Sequence, residues 1–120
     1  MTSPAGFPRQ VRLLCRRDFD RVFQKPGRSS DPYFTILFKK NDLQDARLGL
    51  AVAKKMAKRA VDRNRIKRII REHFRQHNNK PQVDLVVMIK PQTAAANHDT
   101  LQSSLDHHWL RIKRKLKHDG

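Results

Sequence analysis

From about Arg59 to His77 the chain carries no glycine or proline, and its apolar side chains recur every three or four residues. At about 100° per residue, Ile66, Ile69, Ile70 and Phe74 fall on one side of a helix. Asn64, Lys67, Arg68, Arg71 and Arg75 fall on the other, and Asn78, Asn79 and Pro81 end the pattern. A helix divided in this way must lay its isoleucines on another layer and hold its cations outward. Strand signals on both sides supply that layer. "YFTILFKK" alternates Phe34, Ile36 and Phe38 with Thr35, Leu37 and Lys39, and the turn "NDLQD" joins it to "RLGLAVA". There, large Leu48, Leu50 and Val52 alternate with small Gly49, Ala51 and Ala53, which leaves one strand face open. "QVDLVVMIK" reads as a third, buried strand closed by Pro91.

The flanks complete the layers. Leu14, Phe19, Val22 and Phe23 are spaced for a short first helix that Pro26 and Gly27 stop, and "RSSDP" after it has loop chemistry. "QTAAANHD" is a loop leading, with Asp99 as cap, into a last helix from Thr100 to about Leu116. The expected fold is α+β, a two-layer sandwich of a small central sheet with helices in the order α-β-β-α-β-α. At 120 residues there is room for one modest core. The expectation is a flexible N-terminal tail over 1–9, a single domain over 10–116 and a C-terminal tail over 117–120.

Charge narrows the function. The chain has 27 Lys and Arg against 11 Asp and Glu, a formal net charge of +16. Self-repulsion on that scale is compensated most simply by a polyanionic partner. No apolar run approaches the roughly 20 residues that span a bilayer, and "MTSPAGFPRQ" lacks a secretory signal's apolar stretch, so no membrane is expected and the cytoplasm is the expected location. Cys15 stands alone, which excludes an intrachain disulfide and a thiolate-rich zinc site. The cationic stripe begins before the basic helix, at Lys54, Lys55, Lys58 and Arg59, and continues through Arg63 and Arg65. Only Asp62 and Glu72 offset it as far as Arg75. A solvated amphipathic face is the plain alternative. Without acids four residues away, however, like charges repel by a few tenths of a kcal/mol per pair, roughly, which favours external phosphates as the compensation. Arginine outnumbers lysine in the helix, and its planar fork suits phosphate and base edges, so the partner is structured RNA or DNA.

Catalytic equipment is sparse. His73 and His77 have the spacing of two ligands on one helical turn, yet no Glu stands between them as required and no third ligand is marked. His107 and His108 read as surface or partly packed residues. Asp18 and Asp20 diverge by roughly 200° around a helix and do not share a metal or proton. No P-loop, glycine-rich nucleotide fingerprint or nucleophile elbow is present. No catalytic residue and no metal ligand is therefore expected in the protein. Trp109 keeps helical spacing with Leu105, Ile112 and Leu116 and reads as core. Phe19 and Phe23, four apart and near Arg12, Arg16 and Arg17, fit either core or a stacking platform for single-stranded bases.

The stretch "RLGLAVAKKMAKRAVDRNRIKRIIREHF" resembles the protein subunit of bacterial ribonuclease P. The resemblance is carried by Gly49, Lys54, Lys55, Arg59, Ala60, the "RNR" of Arg63, Asn64 and Arg65, and Lys67, Arg68, Arg71, Glu72 and Phe74. "FPRQVRLLCRRDFDRVFQ" and "DLVVMIKP" are similar to that family as well, so the likeness spans most of the chain. It implies a ribonucleoprotein endonuclease that removes the 5′ leader of precursor tRNA, with catalytic Mg²⁺ held mainly by the RNA subunit and no cofactor bound by the protein alone. It also implies that the segment from Lys54 to Arg71, Lys58 included, binds the catalytic RNA. A cleft between the first helix and the sheet would take the leader, with Arg12, Phe19, Phe23, Leu37 and Ala51 matching it. Relatives can carry an aromatic at the position of Leu37, so contact there is expected to be apolar only. A left-handed βαβ crossover around the basic helix is implied too, against the usual handedness. No obligate protein partner is expected. A ribosomal protein or assembly factor would explain the charge equally well, and a DNA-reading helix is a further alternative.

Overall fold

The computed structural model describes residues 12–43 and 45–119. Its elements are β1 (Arg12–Leu13), α1 (Arg16–Val22), β2 (Gly27–Ser30), β3 (Phe34–Lys40), β4 (Arg47–Ala51), α2 (Ala60–Gln76), β5 (Val83–Ile89), a 3₁₀ turn (Pro91–Ala95) and α3 (His98–Asp119). One five-stranded sheet runs in the order β1-β4-β5-β3-β2. β5 pairs parallel with β4 and antiparallel with β3, so α2 bridges two adjacent parallel strands as a βαβ unit. No described helix is long and apolar enough to cross a membrane.

The three expected strands form, and their alternation sets the layers. Phe34, Ile36, Phe38, Leu48, Leu85, Val87 and Ile89 face α2 and α3 and join Ile66, Ile69, Ile70, Phe74, Leu101, Leu105, Trp109 and Ile112 in one core. Burying each such side chain stabilises the fold by about 1.5–3 kcal/mol before entropy is counted. The opposite sheet face carries a smaller cluster of Leu14, Val22, Leu37 and Val86, covered by the seven-residue α1.

Four local features depart from expectation. Residues 27–30 form a strand, where loop chemistry pointed to none. Gly27 lies opposite Phe38, and an added Cβ would collide with its ring, so the missing side chain is what lets β2 approach. Ser29, buried on the α3 side, hydrogen-bonds His108 Nδ1 at 2.6 Å. Strand β1 adds two residues through parallel pairing with Arg47 and Leu48, so the order begins with a strand. Asn97, two residues before Asp99, caps α3: its Oδ1 accepts the Thr100 N–H at 2.8 Å and its carbonyl accepts the Leu101 N–H. α3 itself runs to Asp119, through most of the segment expected as a C-terminal tail. The expected N-terminal tail, 1–9, lies outside the described residues.

Candidate RNA interface

Helix α2 turns the amphipathic pattern into a two-sided element. Ile66, Ile69, Ile70 and Phe74 are at most 4% exposed, whereas Asn64, Arg68 and Arg75 are exposed and Lys67 and Arg71 half-buried. The segment leading into it exposes Lys54, Lys55, Lys58 and Arg59. Arg59 occupies the N-cap position without a side-chain cap, and the nearest acid, Asp62, lies 3.9 Å from its Nε. Cations crowding a helix N-terminus oppose the helix dipole, whereas a phosphate at that end is favoured by both.

Not every cation of the stripe is free. Arg63 folds back to donate to the carbonyls of Ala57 and Lys58, both at 2.9 Å, and Arg65 donates to the Ala94 carbonyl at 3.0 Å. These bonds pin the loop before α2 and the 3₁₀ turn beside it. Each uses part of a five-donor guanidinium and leaves N–H groups over.

The residues expected to line the cleft lie on the other sheet face. Phe19 lies over Gly49, where an added Cβ would sit 2.6 Å from the ring. Gly49 therefore makes room first for α1 itself, a use the alternation of β4 did not reveal. Phe23 is 48% exposed, its ring centroid 6.3 Å from that of Phe19. Leu37, buried, and Ala51, half-buried, belong to the same apolar patch, together with Met88. Arg12 pairs through its backbone with Arg47, and its side chain lies outside the described residues. Four of the five expected cleft residues thus come together. At the open edge of β4, a groove of about 200 Å³ is lined by Leu14, Phe19, Gly49 and Leu50 with Lys67 and Arg71 of α2. Arg71 Nε is buried there without a hydrogen-bond partner among the described residues.

What holds α1 in place is a buried carboxylate. Asp84, fully buried in β5, accepts from Arg47 Nε and Nη2 at 2.9 and 2.7 Å, from Arg21 Nη2 at 2.6 Å and from Asn41 Nδ2 at 2.7 Å. Burial alone would raise its pKa, but the bonds from Arg47, Asn41 and Arg21 outweigh that and hold it below the ordinary value. Asp18 accepts from the Cys15 thiol and N–H, both at 3.1 Å, which lowers its pKa, and from Arg47 at 3.2 Å. Asp18 thus has a capping and bridging role, while Asp20 is exposed. A lone acid in "VDLVVMI" was the available signal for this network.

His73, His77 and His108 are packed, whereas His107 is exposed. His73 bonds Asp106 at 2.6 Å, and His77 stacks on Trp109 with centroids 4.5 Å apart. Burial, with Lys113, His73 and Lys80 nearby, lowers the pKa of His77 to about 4. His108, expected to be partly packed at most, is fully buried because β2 closes over it, and burial lowers its pKa although Asp31 opposes the shift. Among the described residues no three His, Cys, Asp or Glu side chains could together hold a metal ion.

A small α+β sandwich with one outward cationic helix face has the architecture and charge layout of an RNA-binding protein. The family model Ribonuclease P matches residues 7–113. A ribonuclease P protein component from Thioalkalivibrio sulfidiphilus is 45% identical over 113 residues, covering 93% of this chain and 94% of the relative. One from Pectobacterium atrosepticum is 46% identical over 107 residues, covering 88% and 90%. Among solved structures, the Staphylococcus aureus ribonuclease P protein matches with a TM-score of 0.77 at 31% identity over 86% of this chain and 94% of that one. The Thermotoga maritima protein matches at 0.75 and 31%, over 83% and 96%. The chain belongs to the ribonuclease P protein family, the protein subunits of that endoribonuclease.

Proposed function

We propose that this protein acts within ribonuclease P as the subunit that grips RNA at two adjoining places. The stripe from Lys54 to Arg71 takes phosphates of the catalytic RNA, and the cleft of Phe19, Phe23, Leu37 and Ala51 takes the single-stranded 5′ leader of precursor tRNA. The carrying observation is the groove at the β4 edge, where Lys67 and Arg71 meet Phe19 over Gly49. A polyanion clamp and an aromatic platform are contiguous there, as a substrate bound across a protein and RNA junction requires. The chemistry then rests with the RNA and the Mg²⁺ it holds, and the protein raises the affinity for precursor over mature tRNA. Work of this kind belongs in the cytoplasm.

The test is reconstitution with a bacterial ribonuclease P RNA at low Mg²⁺. Cleavage of precursor tRNA should be stimulated and leave the leader as a separate product; absence of stimulation refutes the proposal. A purely structural RNA binder, the competing class, would bind RNA in a salt-dependent way yet leave cleavage unchanged.

A further inference from the structure

The far edge of the sheet carries a second group of cations that the α2 stripe does not include. Arg28 in β2 lies directly opposite Leu37 of β3, so its side chain stands on the same sheet face as the cleft, and it is exposed. Around the edge, α3 lays three more cations along β2. Arg111 donates to the Ser30 carbonyl at 2.8 Å, Lys115 donates to the Arg28 carbonyl, and exposed Arg114 sits on the same helix between them. Exposed Lys25, at φ 52° in the turn entering β2, adds a fifth charge.

The two carbonyl bonds have a structural use, since they satisfy outward groups of an edge strand that would otherwise pair with another chain. That use leaves spare donors on Arg111 and Lys115 and does not involve the side chains of Arg28 or Arg114. None of the five is paired with a carboxylate among the described residues. Asp31, the acid next to this edge, is already bonded to Ser104 and lies 3.2 Å from His108.

We propose that this β2–α3 edge holds the phosphates of leader nucleotides that lie beyond the cleft; the inference rests on the cleft being the leader site. Three strand spacings of about 4.8 Å separate β4, under Phe19, from β2, so the path across the face is about 14 Å. At a stacked rise of about 3.4 Å per nucleotide, about four nucleotides cross it, and fewer if the strand is stretched. A short leader therefore ends over the cleft, and a longer one reaches the edge.

The experiment compares holoenzyme reconstituted with the unsubstituted protein and with the Arg28→Gln/Arg114→Gln double variant. Equilibrium binding is measured, across a salt series, to mature tRNA and to precursors with leaders of two and of ten nucleotides. The expected result is a several-fold loss for the ten-nucleotide leader alone, with a salt slope shallower by about 1.4, at about 0.7 per single-strand phosphate. An Arg28→Lys/Arg114→Lys variant, which keeps both charges, should recover most of that affinity. Equal loss on all three RNAs would assign the edge to the catalytic RNA or the tRNA body and overturn the proposal, as would no loss at all. A Phe19→Ala/Phe23→Ala variant run in parallel separates the two ideas. If it leaves leader discrimination intact, the cleft itself is misassigned; if it abolishes discrimination while the charge variant is silent, only the edge falls.

Discussion

Arginines serve opposite ends in two regions of this molecule. Beneath α1, Arg47 and Arg21 converge on Asp84, a carboxylate with no solvent exposure, and no buried donor there lacks an acceptor among the described residues. Along α2, Lys67, Arg68 and Arg71 face outward, and Arg71 keeps a buried Nε without a partner among the described residues. The first arrangement is electrostatically compensated and ties down a helix; the second has no carboxylate partner among the described residues. Positive charge is thus a functional signal only after its internal partners have been subtracted. Arg63 and Arg65 fall between, each bound to backbone carbonyls and each with donors to spare.

The contrast can be broken first at its compensated end. Asp84→Ala removes the common acceptor and strands Arg47 in a mostly buried site, so unfolding free energy measured with urea should fall by about 3 kcal/mol or more. Loss of less than about 1 kcal/mol would show that the network contributes little to holding α1.

At the uncompensated end, Lys67→Ala/Arg68→Ala should leave urea stability unchanged or slightly improved, because like charges are relieved. Affinity for the catalytic RNA should nonetheless drop at physiological salt. The slope of log affinity against log salt should become shallower by about 1.8, at about 0.9 for each phosphate no longer neutralised. If stability falls and the slope does not move, the stripe is a structural face.

The cleft sharpens the comparison, since its two aromatic rings differ in how much they support the fold. Phe19→Ala opens space above Gly49 and should cost about 2 kcal/mol of stability. Phe23→Ala, at a half-exposed ring, should cost less than about 1 kcal/mol. Both should reduce discrimination of precursor from mature tRNA, by about 1 kcal/mol or more for each base that no longer stacks. A Phe23→Ala holoenzyme that discriminates normally would remove that ring from the platform.

The last test is a pH dependence. His77 has a native pKa of about 4, below its ordinary value of 6.5, so the unfolded chain binds its proton first as pH falls. Stability should be unaffected by His77 above pH 6.5 and decline between pH 6.5 and 4. His108, also lowered, acts in the same direction. Thermal melting of His77→Gln over that range should show a shallower decline than the unsubstituted protein; an equal decline would assign it to His108 and other groups.

Much of the fold is legible in the order of residues. The periods of α2, β3, β4 and β5 are local properties of consecutive positions, so they locate those elements and both faces of the basic helix. β2 is not legible in this way, because Gly-Arg-Ser-Ser has no strand propensity of its own: it becomes a strand through pairing with β3 and bonds from α3. Asn97, not Asp99, takes the capping position because Pro91–Ala95 turns the chain before α3 begins. The expected cleft residues come from the family likeness, whereas the contact of Phe19 with Gly49 comes only from the fold.

Apolar positions, cationic positions and the periods with which they alternate can be read along the chain. Those quantities need only neighbouring residues, and they settle the layers and the polyanionic partner. Folding was needed to show which charges are spent internally, that Phe19 occupies the space over Gly49, and that Lys67 and Arg71 meet it at one groove. Such facts depend on residues dozens of positions apart being brought within a few ångströms, and no local period encodes that distance.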